Sequence, residues 1–299
     1  MKVSESFGKY WPRILTDHSI EAFANYIKEN GCKNILVLTG AGLSTSAGIP
    51  DFRTPGTGLY DNLEKYKLPT PQSIFDIDFF RRNPEPFYLL ARELYPGNFK
   101  PTLGHLFIRL LAERGMLLRN FTQNIDTLER VAGIPDQFLV EAHGSFATAS
   151  CVGRETTPLV RGCGAKYTQE WVRNKIMAHE TPTCLNPLCD PHSLVKPDIT
   201  FFGEPLPRRF FDCVRTDFAH ADAVIVMGSS LKVSPFAMLP LMFGARVPRL
   251  LINREVVGNF DATNGKDTLF LGGCDEGCLR LANLLGFKDE LLEAYRAFS

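Results

Sequence analysis

The feature that most constrains the fold is a short apolar run followed at once by closely spaced glycines. Residues 34–39 read Asn-Ile-Leu-Val-Leu-Thr, a continuous run typical of a parallel strand buried on both faces. Gly40 and Gly42 come directly after it. Glycines at a strand-to-helix junction let the backbone approach a pyrophosphate, and the free N–H groups at the start of the helix bind its charge. A tight turn without a ligand is the alternative, since Gly48 does not stand at the usual offset for a third glycine.

Similar apolar runs recur further along the chain, at 223–227 and 249–252. Patterns of helical spacing lie around them, at 20–30, 103–114, 235–245 and 277–298. Such alternation predicts an α/β fold with a doubly wound parallel sheet.

Polar residues of the kind that bind nucleotides follow both of these later runs. Gly228, Ser229 and Ser230 follow the first, and Asn253, Arg254 and Glu255 follow the second. An acidic residue at such a strand end suits a ribose diol. Together with the glycine-rich turn, these strand ends predict a crevice for a dinucleotide.

Length and charge narrow the class of protein. A chain of 299 residues suits one core domain with a smaller module appended to it. Equal numbers of basic and acidic residues, 33 of each, argue against direct binding to nucleic acid or anionic membranes. No apolar stretch approaches the roughly 20 residues that span a bilayer. The first fifteen residues lack the apolar core of a signal peptide, so we expect the cytoplasm or the nucleus.

Four cysteines lie in a proline-rich stretch of low periodicity: Cys151, Cys163, Cys184 and Cys189. They have 11, 20 and 4 residues between them, and four thiolates form a closed, structural zinc site. We expect this stretch to be held together by metal rather than by an apolar core. A rival ligand set includes Cys274 and Cys278, although Cys278 falls among the apolar residues of the last helical pattern.

Several motifs, in this order, resemble those of the sirtuins, the Sir2 family. They are residues 40–53 (Gly-Ala-Gly-Leu-Ser-Thr-Ser-Ala-Gly-Ile-Pro-Asp-Phe-Arg), 122–126 (Thr-Gln-Asn-Ile-Asp), 143–144 (His-Gly), 195–198, 202–204 and 228–230. The resemblance covers about residues 20–290. Residues 54–60 resemble the deacetylase branch, and the Tyr-x-x-Arg pattern of the branch that favours succinyl groups is missing from the sequence near the acyl pocket.

The resemblance implies an NAD-dependent protein-lysine deacetylase that transfers the acyl group to ADP-ribose and releases nicotinamide. It implies NAD as a co-substrate, one structural zinc ion per chain, and acetylated proteins such as histones or tubulin as partners. A secondary mono-ADP-ribosyltransferase activity uses the same nicotinamide cleavage and stays open. An NAD sensor without catalysis and an NAD-dependent dehydrogenase are the alternatives from other classes. His143 and Asn124 argue against the sensor, and nicotinamide release without NADH formation would dismiss the dehydrogenase.

The resemblance also implies residue roles. His143 would be the general base that takes a proton from a ribose hydroxyl, and Asn124 would act beside that ribose. Without the resemblance, a lone histidine after an apolar strand reads as a buried core residue. The residues expected to bind NAD are Gly40, Ala41, Gly42, Leu43, Ser44, Thr45, Asp51, Phe52, Arg53, Gln123, Asn124, Ile125, Asp126, Gly228, Ser229, Ser230, Asn253, Arg254, Glu255 and Cys274.

The expected substrate-binding residues are Phe201, Phe202, Gly203, Glu204 and Val233, with Phe75 and Ile125 as further candidates for the apolar wall. Thr200 stands where the deacetylases more often carry valine, which leaves the acyl-chain preference open. We expect three parts: a Rossmann-like NAD-binding domain (20–57, 97–147 and 198–298), a helical insertion (58–96) and a zinc-binding module (148–197). Residues 153–162 read as an insertion in that module.

Overall fold

The structure, a computed structural model, describes residues 14–52, 54, 56, 58–95, 99–155 and 160–298. The strands in this part of the chain are β1 (Ile35–Thr39), β2 (Leu117–Thr122), β3 (Leu139–Glu141), β4 (Gly144–Arg154), β5 (Val160–Arg161), β6 (Lys166–Thr168), β7 (Leu194–Ile199), β8 (Ala223–Met227), β9 (Arg249–Asn253) and β10 (Asp267–Leu271). The three apolar runs of the sequence form β1, β8 and β9, and every residue of β1 and β8 is buried.

Six of these strands form one parallel sheet in the order β10-β9-β8-β1-β2-β3. Numbered along the chain within this sheet, the order is 3-2-1-4-5-6, the arrangement of a Rossmann-like fold. The direction of winding reverses between β1 and β8, where Thr39 pairs with Met227. In open α/β sheets, ligands bind outside the carboxyl ends of the strands at this switch point.

The α-helices of the described residues are α1 (Ile20–Glu29), α2 (Ile77–Arg82), α3 (Glu85–Leu94), α4 (Leu103–Glu113), α5 (Leu128–Val131), α6 (Gln169–Met177), α7 (Arg208–Asp217), α8 (Cys274–Leu285) and α9 (Lys288–Phe298). None of them has the length and apolar character needed to cross a membrane. Helices α1, α4, α8 and α9 share an apolar core with one face of the sheet, while α7 packs on the opposite face.

Two predicted helices differ in the structure. The single helix expected over 277–298 begins earlier, at Cys274, and is broken in two at Gly286, whose φ of 86° ends α8 in the left-handed conformation that glycine favours. The helix expected over 235–245 is a 3₁₀ segment, Phe236–Met242, with Pro240 inside it. Proline has no N–H for the helical ladder and its ring clashes with the preceding turn, so a regular α-helix does not form there.

A second, four-stranded sheet is formed by β4 to β7, with β4 pairing with each of the other three in antiparallel fashion. Strand β4 begins at Gly144 and therefore runs through residue 148, where the small module was expected to begin. The expectation that this module lacks an apolar core is wrong. Ala149, Val172 and Leu194 lie in one buried cluster with Phe87 and Phe201 of neighbouring segments.

Candidate active site and metal centre

The loops after β1 and β8 are in direct contact at the switch point. The N–H of Gly42 donates to the carbonyl oxygen of Gly228 over 2.8 Å. A Cβ on Gly40 would lie 2.8 Å from that same oxygen, and one on Gly42 would lie 2.7 Å from the Gly228 Cα. Glycine is therefore required here for close packing of backbone on backbone. The expected helix after β1 is replaced by two 3₁₀ turns, Ala41–Leu43 and Thr45–Ala47.

A cavity of about 1050 Å³ opens at these strand ends. The residues expected to bind NAD that line it are Ala41, Gly42, Thr45, Asp51, Phe52, Gln123, Asn124, Ile125, Gly228, Ser229, Ser230, Asn253, Arg254, Glu255 and Cys274. His143 and all five expected substrate-binding residues line the same cavity. Gly40, Leu43, Ser44 and Asp126 are outside its lining, and Arg53 lies outside the described residues.

The chemistry of this lining fits NAD. Gly42 and Gly228 have no side chains, so a pyrophosphate can approach the backbone closely at the switch point. Asn253 ends β9, and its Nδ2 donates to the backbone carbonyl oxygen of Glu255 over 2.9 Å. The carboxylate of Glu255 suits a ribose diol, because an acid just after such a strand is typical of nucleotide sites. Backbone amides, hydroxyl groups and a carboxylate thus lie where the two halves of a dinucleotide would bind.

His143 lies between β3 and β4, and its ring is tied to the end of β2. Its Nδ1 donates to the carbonyl oxygen of Gln123 over 3.1 Å, because a carbonyl can only accept. The neutral ring therefore keeps a lone pair on Nε2. Burial lowers the pKa of His143, and the hydrogen bond with Gln123 opposes this shift. A neutral, oriented imidazole of this kind can accept a proton near neutral pH.

The loop after β2 is fixed to its neighbours through polar side chains. Nδ2 of Asn124 donates to the carbonyl oxygen of Gly40 (3.2 Å) and to Oγ of Ser44 (3.3 Å). The hydroxyl of Ser229 donates to Oε1 of Gln123 over 2.6 Å. These hydrogen bonds connect the ends of β1, β2 and β8, so the side-chain amides of Gln123 and Asn124 have defined positions at the cavity.

Aromatic rings form the apolar wall of the cavity. Phe75 makes edge-to-face contacts with Phe52 (centroids 6.0 Å apart) and with Phe201 (5.8 Å). Below them, Lys196 is buried, with its Nζ 3.0 Å from the carboxylate of Glu204 and 4.3 Å from the Phe201 ring centroid. The same carboxylate accepts from the N–H of Phe201 over 2.8 Å, which fixes the turn at 201–204.

Some residues of the cavity lining were not expected from the sequence. Phe211 of α7, Lys232 and Gly272 all line it. Phe211 is 42% exposed, and a large aromatic side chain on the solvent side of an amphipathic helix is a signal that sequence analysis could have used.

Four cysteines come together with their sulfur atoms within 4.8 Å of one another: Cys151 on β4, Cys163 between β5 and β6, and Cys184 and Cys189 between α6 and β7. Sγ atoms are 3.8 Å apart for Cys151 and Cys189 and 3.6 Å apart for Cys163 and Cys184. Tetrahedral Zn–S bonds of about 2.3 Å place sulfur atoms about 3.8 Å apart, so the cluster suits a structural zinc ion.

The surroundings of the cysteine cluster support the same assignment. The Tyr167 hydroxyl donates to Sγ of Cys184 over 3.1 Å, and Nδ2 of Asn186 donates to Sγ of Cys163 over 3.5 Å. Such donors stabilise thiolate ligands. Cys274 lines the cavity instead, and Cys278 is fully buried in α8, so the rival ligand set does not assemble.

Comparison with known proteins agrees with this geometry. The model of the Sir2 family matches residues 40–235. The chain is 49% identical to "NAD-dependent protein deacetylase sirtuin-2" of Danio rerio over 297 residues, covering 94% of this chain and 76% of that protein. It is 50% identical to "NAD-dependent deacetylase sir2A" of Dictyostelium discoideum (93% and 54% covered) and 50% identical to "NAD-dependent protein deacetylase hst2-1" of Emericella nidulans (94% and 73%). With the six-stranded sheet, the cavity at its switch point and the four-cysteine cluster, these similarities show that the chain belongs to the Sir2 family, the sirtuins.

Proposed function

We propose that this sirtuin is an NAD-dependent protein-lysine deacetylase that transfers the acyl group to ADP-ribose and releases nicotinamide. The observation that carries the proposal is that one cavity brings these groups together. Its lining contains Asn124, His143 with a free Nε2, and residues at the ends of β1, β8 and β9. The relatives at about 50% identity carry the name of this activity. NAD supplies an activated ribose carbon, from which nicotinamide leaves.

The residues of the chain have distinct tasks in this proposal. The rings of Phe75 and Phe201 exclude water from the acyl-lysine side chain, while residues 203–204 and Val233 hold the peptide backbone. Asn124 orients the ribose, and Nε2 of His143 takes a proton from one of its hydroxyl groups. The four-cysteine site is closed, with no position for an activated water, and none of its ligands lines the cavity. Its task is therefore to hold β4, β6 and β7 together.

We propose acetylated proteins as the substrates, with histones and tubulin as the first candidates, and the nucleus and cytoplasm as the places of action. The support is the resemblance to the deacetylase branch in residues 54–60 and the names of the relatives. We also propose the NAD-binding domain, the helical insertion and the zinc module as its three functional parts, with the residue ranges expected from the sequence.

The test is one early time course with NAD and an acetyl-lysine peptide, in which nicotinamide, free lysine peptide and acyl-ADP-ribose are measured together. We expect the three products in equal amounts, with no NADH absorbance. Added nicotinamide should inhibit, because it can react back at the ribose carbon. Deacetylation without NAD, or free acetate as the first product, would contradict the proposal, and a peptide that gains the mass of ADP-ribose would identify the transferase reaction instead.

A further inference from the structure

Beside the loop that follows β2 lies a cluster of titratable side chains, two of them buried and one half-buried, that the proposed reaction does not use. It consists of His105 from α4, Asp126 from the loop and Glu129 from α5, with ligand-capable atoms within 4.8 Å of one another. His105 and Glu129 are 0% and 1% exposed. In the described part of the chain, Nε2 of His105 and Oε1 of Glu129 are buried without a hydrogen-bond partner. Because buried polar atoms are nearly always paired, each of these two atoms requires a partner, and one water between them would serve both.

The hydrogen bonds of His105 determine which of its nitrogen atoms carries the proton. The backbone N–H of Thr102 donates to Nδ1 over 3.2 Å, and a backbone N–H can only donate. Nδ1 is therefore an acceptor, and the proton of the neutral ring is on Nε2. Burial lowers the pKa of His105 to about 3, so the ring is neutral at physiological pH. His105 thus presents one N–H donor to the cluster.

Glu129 is linked to the loop that lines the cavity. The hydroxyl of Thr122 acts on the Glu129 carboxyl group and lowers its pKa, against the effect of burial, and Oγ1 of Thr122 accepts from the backbone N–H of Asn124 over 3.0 Å. Asp126, on the same loop, accepts from the hydroxyl of Ser44 over 2.7 Å. Glu129 is therefore one side chain away from Asn124 and adjacent to Asp126.

The charges around Glu129 favour its neutral form. The charged groups acting on it are Asp126 from the loop and Glu141 from β3, which is itself paired with Arg130, while His105 from α4 is neutral. Burial first, and then Asp126, raise the pKa of Glu129 to about 8. The pKa of Asp126 is raised as well, chiefly by burial. Two carboxyl groups this close and this buried do not both ionise near neutral pH.

We propose that Glu129 is a positioning residue that acts in its protonated form: one water bridges its carboxyl group to Nε2 of His105, and it donates its proton to Asp126. The two carboxyl groups then share a single proton, and this pair holds the loop in place so that Asn124 keeps its position in the cavity lining. The inference rests on the proposed function. When Glu129 ionises, two adjacent negative charges repel each other and Asp126 loses a donor, so the loop leaves its productive position.

The experiment compares two variants. Glu129→Gln keeps the shape of the side chain and one hydrogen-bond donor, whereas Glu129→Leu has no polar side-chain atom. Glu141→Gln is the matched control, because it removes a nearby acidic group that is not part of the cluster. Nicotinamide exchange into NAD and deacetylation are measured from pH 6.5 to 9.5, and zinc content and melting temperature are checked for each variant.

We expect the wild type to lose rate by about tenfold between pH 7 and 9, as a pKa about one unit below pH 9 requires. Glu141→Gln should keep an alkaline decline of the same depth with its midpoint at a lower pH, because one of the charges that raise the pKa of Glu129 is removed. Glu129→Gln should keep most of its rate at pH 7 and lack this alkaline decline. Glu129→Leu should be slower by more than about tenfold at every pH while folded. A Glu129→Gln variant as slow as Glu129→Leu at pH 7, or one with the alkaline decline of the wild type, would overturn the proposal.

Two readouts are independent of activity and separate this proposal from the function it rests on. Infrared difference spectra should show a protonated carboxyl group at pH 7 that titrates near pH 8 in the wild type and is missing in Glu129→Gln. Metal analysis should find one zinc ion per chain, since a second metal held by His105 and the two acids would replace the shared proton and overturn the inference. If the wild type has no NAD-dependent deacetylation, the proposed function fails, whereas the infrared result still decides the protonation of Glu129.

Discussion

Replacement of His143 by alanine tests the assigned base most directly. Nδ1 of this side chain is engaged by the carbonyl oxygen of Gln123, so only Nε2 is available to accept a proton. Loss of a positioned general base lowers rates by about 10²–10⁴-fold. At about 1.4 kcal/mol for each tenfold change, this raises the barrier by about 3–6 kcal/mol. The variant loses a single hydrogen bond of about 1 kcal/mol, so we expect it to remain folded.

The pH dependence gives a second signature of the same residue. Because burial lowers the pKa of His143, its base form predominates at neutral pH. On the acidic side of its pH profile, the deacetylation rate of the wild type should therefore fall as the pH drops through this lowered pKa. This acidic limb should be missing from His143→Ala.

The assay follows free lysine peptide and nicotinamide in single-turnover reactions, with the dissociation constant for NAD measured by calorimetry. His143→Gln is the matched control, since its amide can still donate to Gln123 but is not a base. Both variants should bind NAD within about twofold of the wild type and lose deacetylation by at least about 10²-fold. Turnover of His143→Ala within threefold of the wild type would refute the assignment.

Four further substitutions test the metal site and the fold. Cys184→Ala or Cys189→Ala should lose bound zinc and lower the melting temperature, measured by metal analysis and calorimetry, and full retention of both would exclude this pair as essential ligands. Gly144→Ala should yield little folded protein on expression, because a Cβ there would lie 1.9 Å from a carbonyl oxygen of β7 and the residue has a φ of 65°. A normal yield would contradict the register between β4 and β7. Asp267→Asn should lower the free energy of unfolding by about 3–5 kcal/mol in denaturant, because it leaves the buried Arg249 without its anionic partner. A decrease below about 1 kcal/mol would contradict that pairing.

The sequence alone was enough to predict the features that depend on local pattern. The apolar runs at 34–39 and 223–227 predicted strands because a short run without alternation is typical of a parallel strand buried on both faces. The four cysteines at 151–189 predicted a zinc site because four thiolates form a closed set of ligands. Local pattern was less reliable at 277–298, where the apolar spacing continues past the left-handed Gly286.

Only the tertiary structure decided which distant residues meet. The contact between the loops at Gly42 and Gly228 depends on β1 lying beside β8. The order of strands in the sheet results from long-range packing, which the periodicity of the sequence does not predict. The same holds for the ring of His143 against Gln123, twenty positions earlier, and for His105 beside Glu129. The protonation states of these side chains depend on burial and on the positions of neighbouring charges. Both are set only when the chain has folded, so the residue types alone do not determine the pKa values.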